Sequence, residues 1–259
     1  MAKDKIRGIL KRALLVMDEW LFPQKVVCLC CGKALDEKER DGLCPACAQA
    51  LERLNAQQEE RDRLQPVLPA EGIRFVYAAY PYRDQARTLV HRLKFESVRA
   101  AAVPLAAPMA FLPSQDEEMI VPVPTDARRK RQRGYNQATL LAQHIADTLG
   151  MPMSEAVRRV RRCGPQTGLT LEERRKNLIG CMAASSAVSG KHVLLVDDVY
   201  TSGATAAEAA RALYAAGAVS VGVFAAARAG LDDDRSAEPF PFIKHNMFPQ
   251  ESSKIYREL

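Results

Sequence analysis

The stretch VLLVDDVYTSGAT, residues Val193–Thr205, joins a run of apolar residues to two adjacent aspartates and a turn rich in hydroxyl groups. A nearly all-apolar run of this kind is typical of a strand that is buried on both faces of a parallel sheet. The segment ATAAEAARALYAAGA that follows predicts a helix ending at Gly217. Strand, loop and helix in this order predict an α/β unit whose loop lies at the carboxyl edge of the sheet, where such folds bind ligands.

The segments on either side of this unit continue the same alternation. IRFVYAAY, MIVPVP and VSVGVFAAA predict strands, and DQARTLVHRLKF and NQATLLAQHIADTLG predict helices. We therefore expect an α/β fold with a doubly wound, mostly parallel sheet. The predicted organisation has four parts: an N-terminal amphipathic helix in 1–27, a small cysteine-rich subdomain in 28–64, the α/β domain in 72–230, and a flexible tail in 231–259.

The two aspartates and the turn after them have the composition of a sugar-phosphate site. Carboxylates accept hydrogen bonds from a diol, while a helix N-terminus and hydroxyl groups attract a phosphate. The residues of this turn are Thr201, Ser202, Gly203, Ala204 and Thr205. Together the two features describe a ribose 5-phosphate. The metal-binding strand of a P-loop ATPase would need an upstream G-x-x-x-x-G-K-[ST] loop, which the chain lacks. An ordinary strand end with solvated carboxylates does not require two successive acids.

Four cysteines have the spacing of a metal site. Cys28 and Cys31 form one C-x-x-C pair, and Cys44 and Cys47 form a second. Two such pairs present four thiolates to one Zn²⁺ in a tetrahedral site, which is structural because no coordination position remains open. The alternatives are disulfides, which a cytosolic chain would not keep, and a redox C-x-x-C motif, which normally occurs singly. Cys30 is expected to be a spare thiol.

Positive charge is concentrated in one part of the chain. Residues 121–180 contain twelve Lys and Arg against five Asp and Glu, a surplus of seven, whereas the whole chain has a net charge of +6. This distribution indicates an anionic partner, either a phosphate compound or a nucleic acid, and the alternative is a solvated basic face.

Length and composition exclude several classes of protein. The chain has 259 residues, of which 47% are hydrophobic, and no apolar run approaches the roughly 18 residues needed to span a bilayer. No signal peptide is evident, so a cytoplasmic protein is expected. Residues 3–22 place apolar side chains at helical spacing with lysines beside them. This helix is expected either to dock on the protein body or to lie on a membrane surface.

The motifs together resemble a known family. Val193–Thr205 resembles the phosphoribosyl pyrophosphate (PRPP) signature of type I phosphoribosyltransferases. With the cysteine pairs, four other motifs resemble the ComF family, the competence-associated phosphoribosyltransferase-like proteins. They are HRLKF at 91–95, VPVPTDARRKRQRGYNQA at 121–138, QTGLTLEERRKN at 166–177 and AAARAG at 225–230. The resemblance covers roughly residues 10–230 and implies the type I phosphoribosyltransferase fold with a zinc-binding N-terminal subdomain.

The resemblance also implies a role for each residue of the site. Asp197 and Asp198, the candidate catalytic pair, would hold the ribose hydroxyls, and Thr201 to Thr205 would surround the 5-phosphate. Mg²⁺ would bridge the pyrophosphate and ribose oxygens of PRPP. The basic residues implied for the pyrophosphate are Arg128, Arg131 and Arg133. Lys94 and Arg174 either reach the same anion or remain surface charges.

Two functional hypotheses follow. The first is a DNA-handling protein of natural transformation that binds a PRPP-type ligand and single-stranded DNA. Its expected partners are the DNA-uptake helicase and a recombination mediator, and it would lie in the cytoplasm or peripherally at the inner membrane. Basic side chains would neutralise DNA phosphates, while aromatic side chains for base stacking are scarce and Tyr135 is the best placed. The second is an active phosphoribosyltransferase with an unidentified acceptor. The sequence leaves enzymatic activity open.

Overall fold

The computed structural model describes residues 27–36, 42–64, 69–70, 72–111, 116–161 and 179–229. Several sequence-based expectations lie outside these residues. They are the N-terminal amphipathic helix, the C-terminal tail, and the QTGLTLEERRKN motif with Arg174.

A four-stranded parallel sheet forms the centre of the protein. Its strands lie in the order β1 (Val76–Pro81), β6 (Ser220–Arg228), β5 (His192–Tyr200) and β2 (Met119–Pro122). All three neighbouring pairs are parallel. Parallel strands cannot be joined by a tight turn, so longer connections that contain helices join them.

Helices cover both faces of the sheet, as a doubly wound fold requires. Residues on one face of β5 and β6, such as Leu194 and Phe224, pack in one buried cluster, and their neighbours Leu195 and Val223 pack in another. This follows from the two-residue period of a strand. The predicted α/β fold is confirmed. On the first face lie α1 (Pro45–Leu64), α2 (Asp84–Phe95), α3 (Ala102–Ala106) and α5 (Gln137–Leu149); on the second lie α6 (Ala204–Ala215) and the antiparallel strands β3 (Val157–Arg159) and β4 (Met182–Ala184).

One short helix lies outside both cores. Helix α4 (Ala127–Arg133) has no buried residue. The side chain of Asp126 accepts a hydrogen bond from the backbone N–H of Arg128 at 2.8 Å, and Gly134 ends the helix in the left-handed conformation. The sequence pattern predicted neither α4 nor the β3–β4 pair, because both are too short to show a period.

The cysteine segment shares the main core rather than forming a separate one. Cys28, Cys44 and Leu51 belong to the same buried cluster as Leu89 and Leu93 of α2. The segment continues into α1, which lies along β1. Asn55 donates to the carbonyl of Ala79 at 2.8 Å, and Asp62 pairs with Arg228 at 2.7 Å. The last turns of α1 therefore reach the carboxyl edge of the sheet.

The helices that the structure describes include none with the length and apolar character needed to cross a membrane.

Candidate functional site

The opening motif lies at the carboxyl edge of the sheet. Strand β5 continues through both aspartates to Tyr200, which pairs with Arg228, the last residue of β6. The strand therefore includes both aspartates and ends two residues after Asp198. The chain then turns through Thr201–Gly203 into α6. Gly203 has a φ of 72°, and a Cβ there would collide with the Tyr200 hydroxyl, so this turn requires glycine.

The hydroxyl-bearing residues of this turn remain accessible. Thr201 is exposed, and Ser202 and Thr205 are partly exposed, whereas Gly203 and Ala204 are buried. The Ser202 hydroxyl lies 3.5 Å from the backbone nitrogen of Ala204 in the first turn of α6. The turn thus places accessible hydroxyl-bearing residues beside the N-terminus of α6, and both features attract phosphate.

The side chains of the two aspartates point to opposite faces of the sheet, because successive residues of a strand alternate in direction. Asp198 forms an ion pair with Lys94 of α2, at 2.8 Å, and both side chains are largely buried. Asp197 accepts a hydrogen bond from the backbone N–H of Asp198 at 2.8 Å and lies in the electrostatic field of Arg159. The structure thus brings Lys94 directly to the acidic pair.

Burial and mutual repulsion change the protonation of these groups. Burial, followed by the charge of Asp198, raises the pKa of Asp197 from 3.8 to about 7, against the opposing effects of Lys94 and Arg159. Burial lowers the pKa of Lys94, but the attraction of Asp198 and Asp197 outweighs it and leaves this pKa above its ordinary value. Lys94 therefore stays charged at neutral pH, whereas Asp197 is near its titration point.

The predicted pyrophosphate-binding arginines divide into two groups. Arg128 and Arg131 are exposed on α4. Arg133, in the last turn of α4, is partly buried, and its guanidinium lies 5.1 Å from the centre of the Phe95 ring. Burial and the neighbouring charge of Arg129 lower the pKa of Arg133, while Asp198 opposes this change. Arg133 is therefore the one of the three that the structure relates to the acidic pair.

The sequence did not identify Arg159 as a neighbour of the acidic pair, since it is one of twelve basic residues in the segment 121–180. Its Nε donates to the carbonyl of Pro124 at 3.1 Å, in the loop after β2. Burial lowers the pKa of Arg159, while Asp126 and Asp197 raise it. The short sequence VRRV could have indicated this, because its side chains alternate as in a strand: Val157 is buried, Arg158 is exposed and Arg159 is partly buried.

Tyr135 does not have the accessibility expected of a stacking residue. Its ring is buried, its hydroxyl donates to the carbonyl of Leu93 at 2.7 Å, and the Arg99 guanidinium lies 5.1 Å from the ring centre. The exposed aromatic residue beside α4 is Phe95.

The four predicted metal-ligating cysteines converge. The sulfurs of Cys28, Cys31, Cys44 and Cys47 all lie within 4.8 Å of one another. The sulfurs of Cys31 and Cys44 are 3.7 Å apart. Tetrahedral coordination at a Zn–S distance of about 2.3 Å separates the sulfurs by about 3.8 Å, so the cluster fits a single metal ion.

The cluster also contains the hydrogen bonds that stabilise a thiolate. The backbone N–H groups of Cys30 and Cys44 are directed at the Cys28 sulfur, at 3.4 and 3.3 Å. Burial raises the pKa of Cys28, but such backbone N–H groups outweigh it and bring this pKa to about 7. Cys30 is not one of the four converging cysteines: its sulfur lies 3.9 Å from the carbonyl oxygen of Gln85, and burial raises its pKa to about 12.

Comparison with known proteins agrees with this geometry. The family model described as the phosphoribosyl transferase domain matches residues 136–248. DNA utilization protein YhgH of Salmonella typhi is 34% identical over 213 residues, which cover 78% of this chain and 90% of that protein. Competence protein F of Haemophilus influenzae is 41% identical over 118 residues, 43% of this chain and 51% of that protein.

Two further likenesses are weaker. Competence protein ComFC of Bacillus subtilis is 28% identical over 214 residues, 79% of this chain and 85% of that protein. The solved glutamine PRPP amidotransferase of B. subtilis is 21% identical at a TM-score of 0.35, over 47% of this chain and 25% of that chain.

Sheet order, site and family model define the class as a protein with a phosphoribosyltransferase domain. Within that class, the chain belongs to the ComF family, which includes competence protein F and DNA utilization protein YhgH.

Proposed function

We propose that this chain is a phosphoribosyltransferase-like protein of DNA uptake, which binds a PRPP-type ligand at the carboxyl edge of the sheet and single-stranded DNA on a basic surface. The observation that carries the proposal is the pair Asp197 and Asp198 beside the Thr201–Thr205 turn. In the same region, Lys94 is ion-paired at 2.8 Å and Arg133 and Arg159 lie within electrostatic reach. Two acids and a hydroxyl-lined turn match a ribose 5-phosphate, and the cations match a pyrophosphate.

Ligand binding would exchange one set of partners for another. The ribose hydroxyls would donate to Asp197 and Asp198, and so replace the Lys94 ammonium at Asp198. Lys94 would then be free to pair with the pyrophosphate, together with Arg133. Mg²⁺ would accompany the pyrophosphate, since hard oxygen anions are its preferred ligands. The 5-phosphate would accept hydrogen bonds from Thr201, Ser202 and Thr205.

The proposed metal of the cysteine cluster is a structural Zn²⁺. Four thiolates complete a tetrahedral shell and leave no position for a substrate. The cysteines share the main core with α2, so the ion would fix the position of α1 against the sheet.

The DNA role is supported by the names of the relatives and by charge. One relative is a DNA utilization protein and others are competence proteins. Four of the basic residues of α4, Arg128 to Arg131, are exposed, which suits a surface that contacts phosphates without reading sequence. The proposal includes an uptake helicase and a recombination mediator as partners, and a cytoplasmic location that extends to the inner membrane surface.

Phosphoribosyl transfer to an unidentified acceptor is a second candidate, favoured by one observation. Asp197 has a pKa of about 7, so its carboxyl can accept or release a proton at neutral pH. Pyrophosphate release from PRPP during a screen of nitrogenous acceptors tests this candidate. Release that Asp197→Asn abolishes would support it. Ligand binding without release for any acceptor would leave the binding role alone.

The deciding experiment is a calorimetric titration of Mg²⁺–PRPP into the zinc-loaded protein. We expect the Asp197→Asn/Asp198→Asn variant to bind at least about tenfold more weakly, because charge-assisted hydrogen bonds to the ribose are lost. The matched control is Asp147→Asn/Glu155→Gln, which removes two exposed carboxylates and should bind as the wild type does. Equal affinity in all three proteins, or no binding by the wild type, would refute the proposed ribose-phosphate site.

A further inference from the structure

Phe95 is the most exposed large apolar side chain in the described part of the chain, at 64% of its surface. It is the last residue of α2, and Ser97 has a φ of 58°, which turns the chain away after it. The centre of its ring lies 4.8 Å from the centre of the His91 ring and 5.1 Å from the Arg133 guanidinium. A single exposed apolar side chain is common on protein surfaces, so the significance of Phe95 depends on the residues around it.

The surroundings of Phe95 are strongly basic. Arg133 ends α4, whose exposed residues Arg128 to Arg131 are all cationic. Arg99, also exposed, lies over the Tyr135 ring on the chain segment that follows Phe95. The neighbouring acid, Glu96, is within ion-pair distance of His91 and Arg92, at 3.3 and 3.8 Å. The surface around the ring therefore attracts polyanions.

We propose that Phe95 is the base-stacking residue of a single-stranded DNA site whose phosphates are bound by α4. This inference rests on the proposed DNA role and names its aromatic contact, which sequence analysis had placed at the buried Tyr135. An aromatic face accepts any base, and arginines beside it contact the backbone, which is the combination that binds single strands without sequence preference. Arg133 contributes both to the stacking platform and to phosphate binding, since its guanidinium contacts the Phe95 ring and carries a positive charge.

The stacking site adjoins the ribose-phosphate site. Lys94, the residue before Phe95, places its ammonium on Asp198, and Arg133 also lies in the field of Asp198. A strand stacked on Phe95 and a bound pyrophosphate would therefore share Arg133. We expect Mg²⁺–PRPP to weaken DNA binding, because both ligands require the same guanidinium.

The test measures fluorescence anisotropy of a labelled oligothymidylate of about 20 nucleotides with wild type and Phe95→Ala, over a range of salt concentrations. The expected result is about 5- to 150-fold weaker binding by Phe95→Ala with an unchanged salt dependence, because a stacked base is lost and no charge is removed. Phe95→Trp should restore the affinity. Arg131→Ala should instead reduce the slope of log affinity against log salt by about 0.7.

An abasic oligonucleotide of the same length separates stacking from structural damage. Wild type and Phe95→Ala should bind it equally, since it offers phosphates and no bases. The matched protein control is Val219→Ala, which shortens another exposed apolar residue at the opposite, amino edge of the sheet. It should bind the oligothymidylate as the wild type does.

The outcomes distinguish this inference from the proposed function. If the wild type binds DNA and Phe95→Ala binds it equally well, the stacking site is refuted while the DNA role stands. If Phe95→Ala loses the same factor on abasic DNA, Phe95 is structural and the inference is also refuted. If the wild type binds no DNA, the DNA role itself fails. Phe95-dependent binding to anionic lipid vesicles, without binding to DNA, would assign the surface to a membrane instead.

Discussion

The cysteine cluster and the aspartate pair are both groups of acids that the fold forces together, but they are compensated differently. The described partners of the cysteine sulfurs are other sulfurs and backbone N–H groups. The aspartates have cations of the chain, with Lys94 at 2.8 Å and Arg159 within electrostatic reach. A cluster without a cation needs a metal in order to ionise fully. In the acidic pair, Lys94 forms an ion pair with Asp198, whereas the cations only partly offset the burial of Asp197.

Loss of the metal from the cysteine cluster should give the largest decrease in the free energy of unfolding, because the thiolates then have no cation. Cys44→Ser replaces a buried ligand, so we expect loss of bound zinc and a decrease of roughly 3 kcal/mol or more in the free energy of unfolding. Metal analysis and urea unfolding measure the two quantities. Cys30→Ser is the control, since Cys30 lies outside the cluster, and it should retain one zinc per chain. Full zinc content in Cys44→Ser would contradict the four-thiolate site.

Ionisation of Asp197 should give the second largest change in the free energy of unfolding. Its pKa is about 7 in the folded protein and ordinarily 3.8. A raised folded pKa adds stability below the unfolded value, and this contribution is lost as the pH rises through the folded value. The wild type should therefore lose stability between about pH 4 and pH 7 through this group. Asp197→Asn should be more stable than the wild type at about pH 8, by on the order of 3 kcal/mol.

Unfolding of both proteins in urea across this pH range measures the difference. The two free energies should converge as the solution is acidified, because protonated Asp197 resembles asparagine in charge. Asp147→Asn, on the exposed surface of α5, is the control and should show no such trend. A wild type that becomes more stable than Asp197→Asn with rising pH would show that Lys94 and Arg159 fully compensate the acid.

Local patterns in the sequence were enough to predict much of this architecture. The apolar run Val193–Val196 marks a strand buried on both faces, and Asn136 and Gly150 mark the two ends of α5. The cysteine spacing predicted the cluster because each C-x-x-C pair brings two ligands together within one turn. In each case the residues that decide the feature are close in sequence.

The electrostatics of the acidic pair could not be predicted in the same way. Lys94 contacts Asp198 only because α2 packs on the face of the sheet to which Asp198 points, while the charge of Arg159, on β3 at the other face, acts on Asp197. The exposure of Phe95 depends likewise on where α4 lies after β2. These contacts join residues distant in sequence, and the period of a single helix or strand carries no information about them.

Loss of the ion pair between Lys94 and Asp198 should give the smallest change in the free energy of unfolding among these three predictions. Both side chains are largely buried, so Lys94→Met leaves a carboxylate with little water and next to a second acid. We expect the free energy of unfolding to fall by about 2 kcal/mol, below the range for fully buried pairs because some solvent reaches both groups. Urea unfolding of Lys94→Met, Asp198→Asn and the double variant gives the coupling energy, and the double variant should be less destabilised than Lys94→Met alone.

The exposed pair Lys130–Glu155, at 3.8 Å and about half exposed on each side, is the matched control. Lys130→Met should change stability by less than about 0.5 kcal/mol, because surface pairs are screened by solvent. Equal effects of the two lysine substitutions would mean that Asp198 is as well solvated as a surface carboxylate. The acidic pair would then not need its lysine, and a ribose ligand would bind there without displacing it.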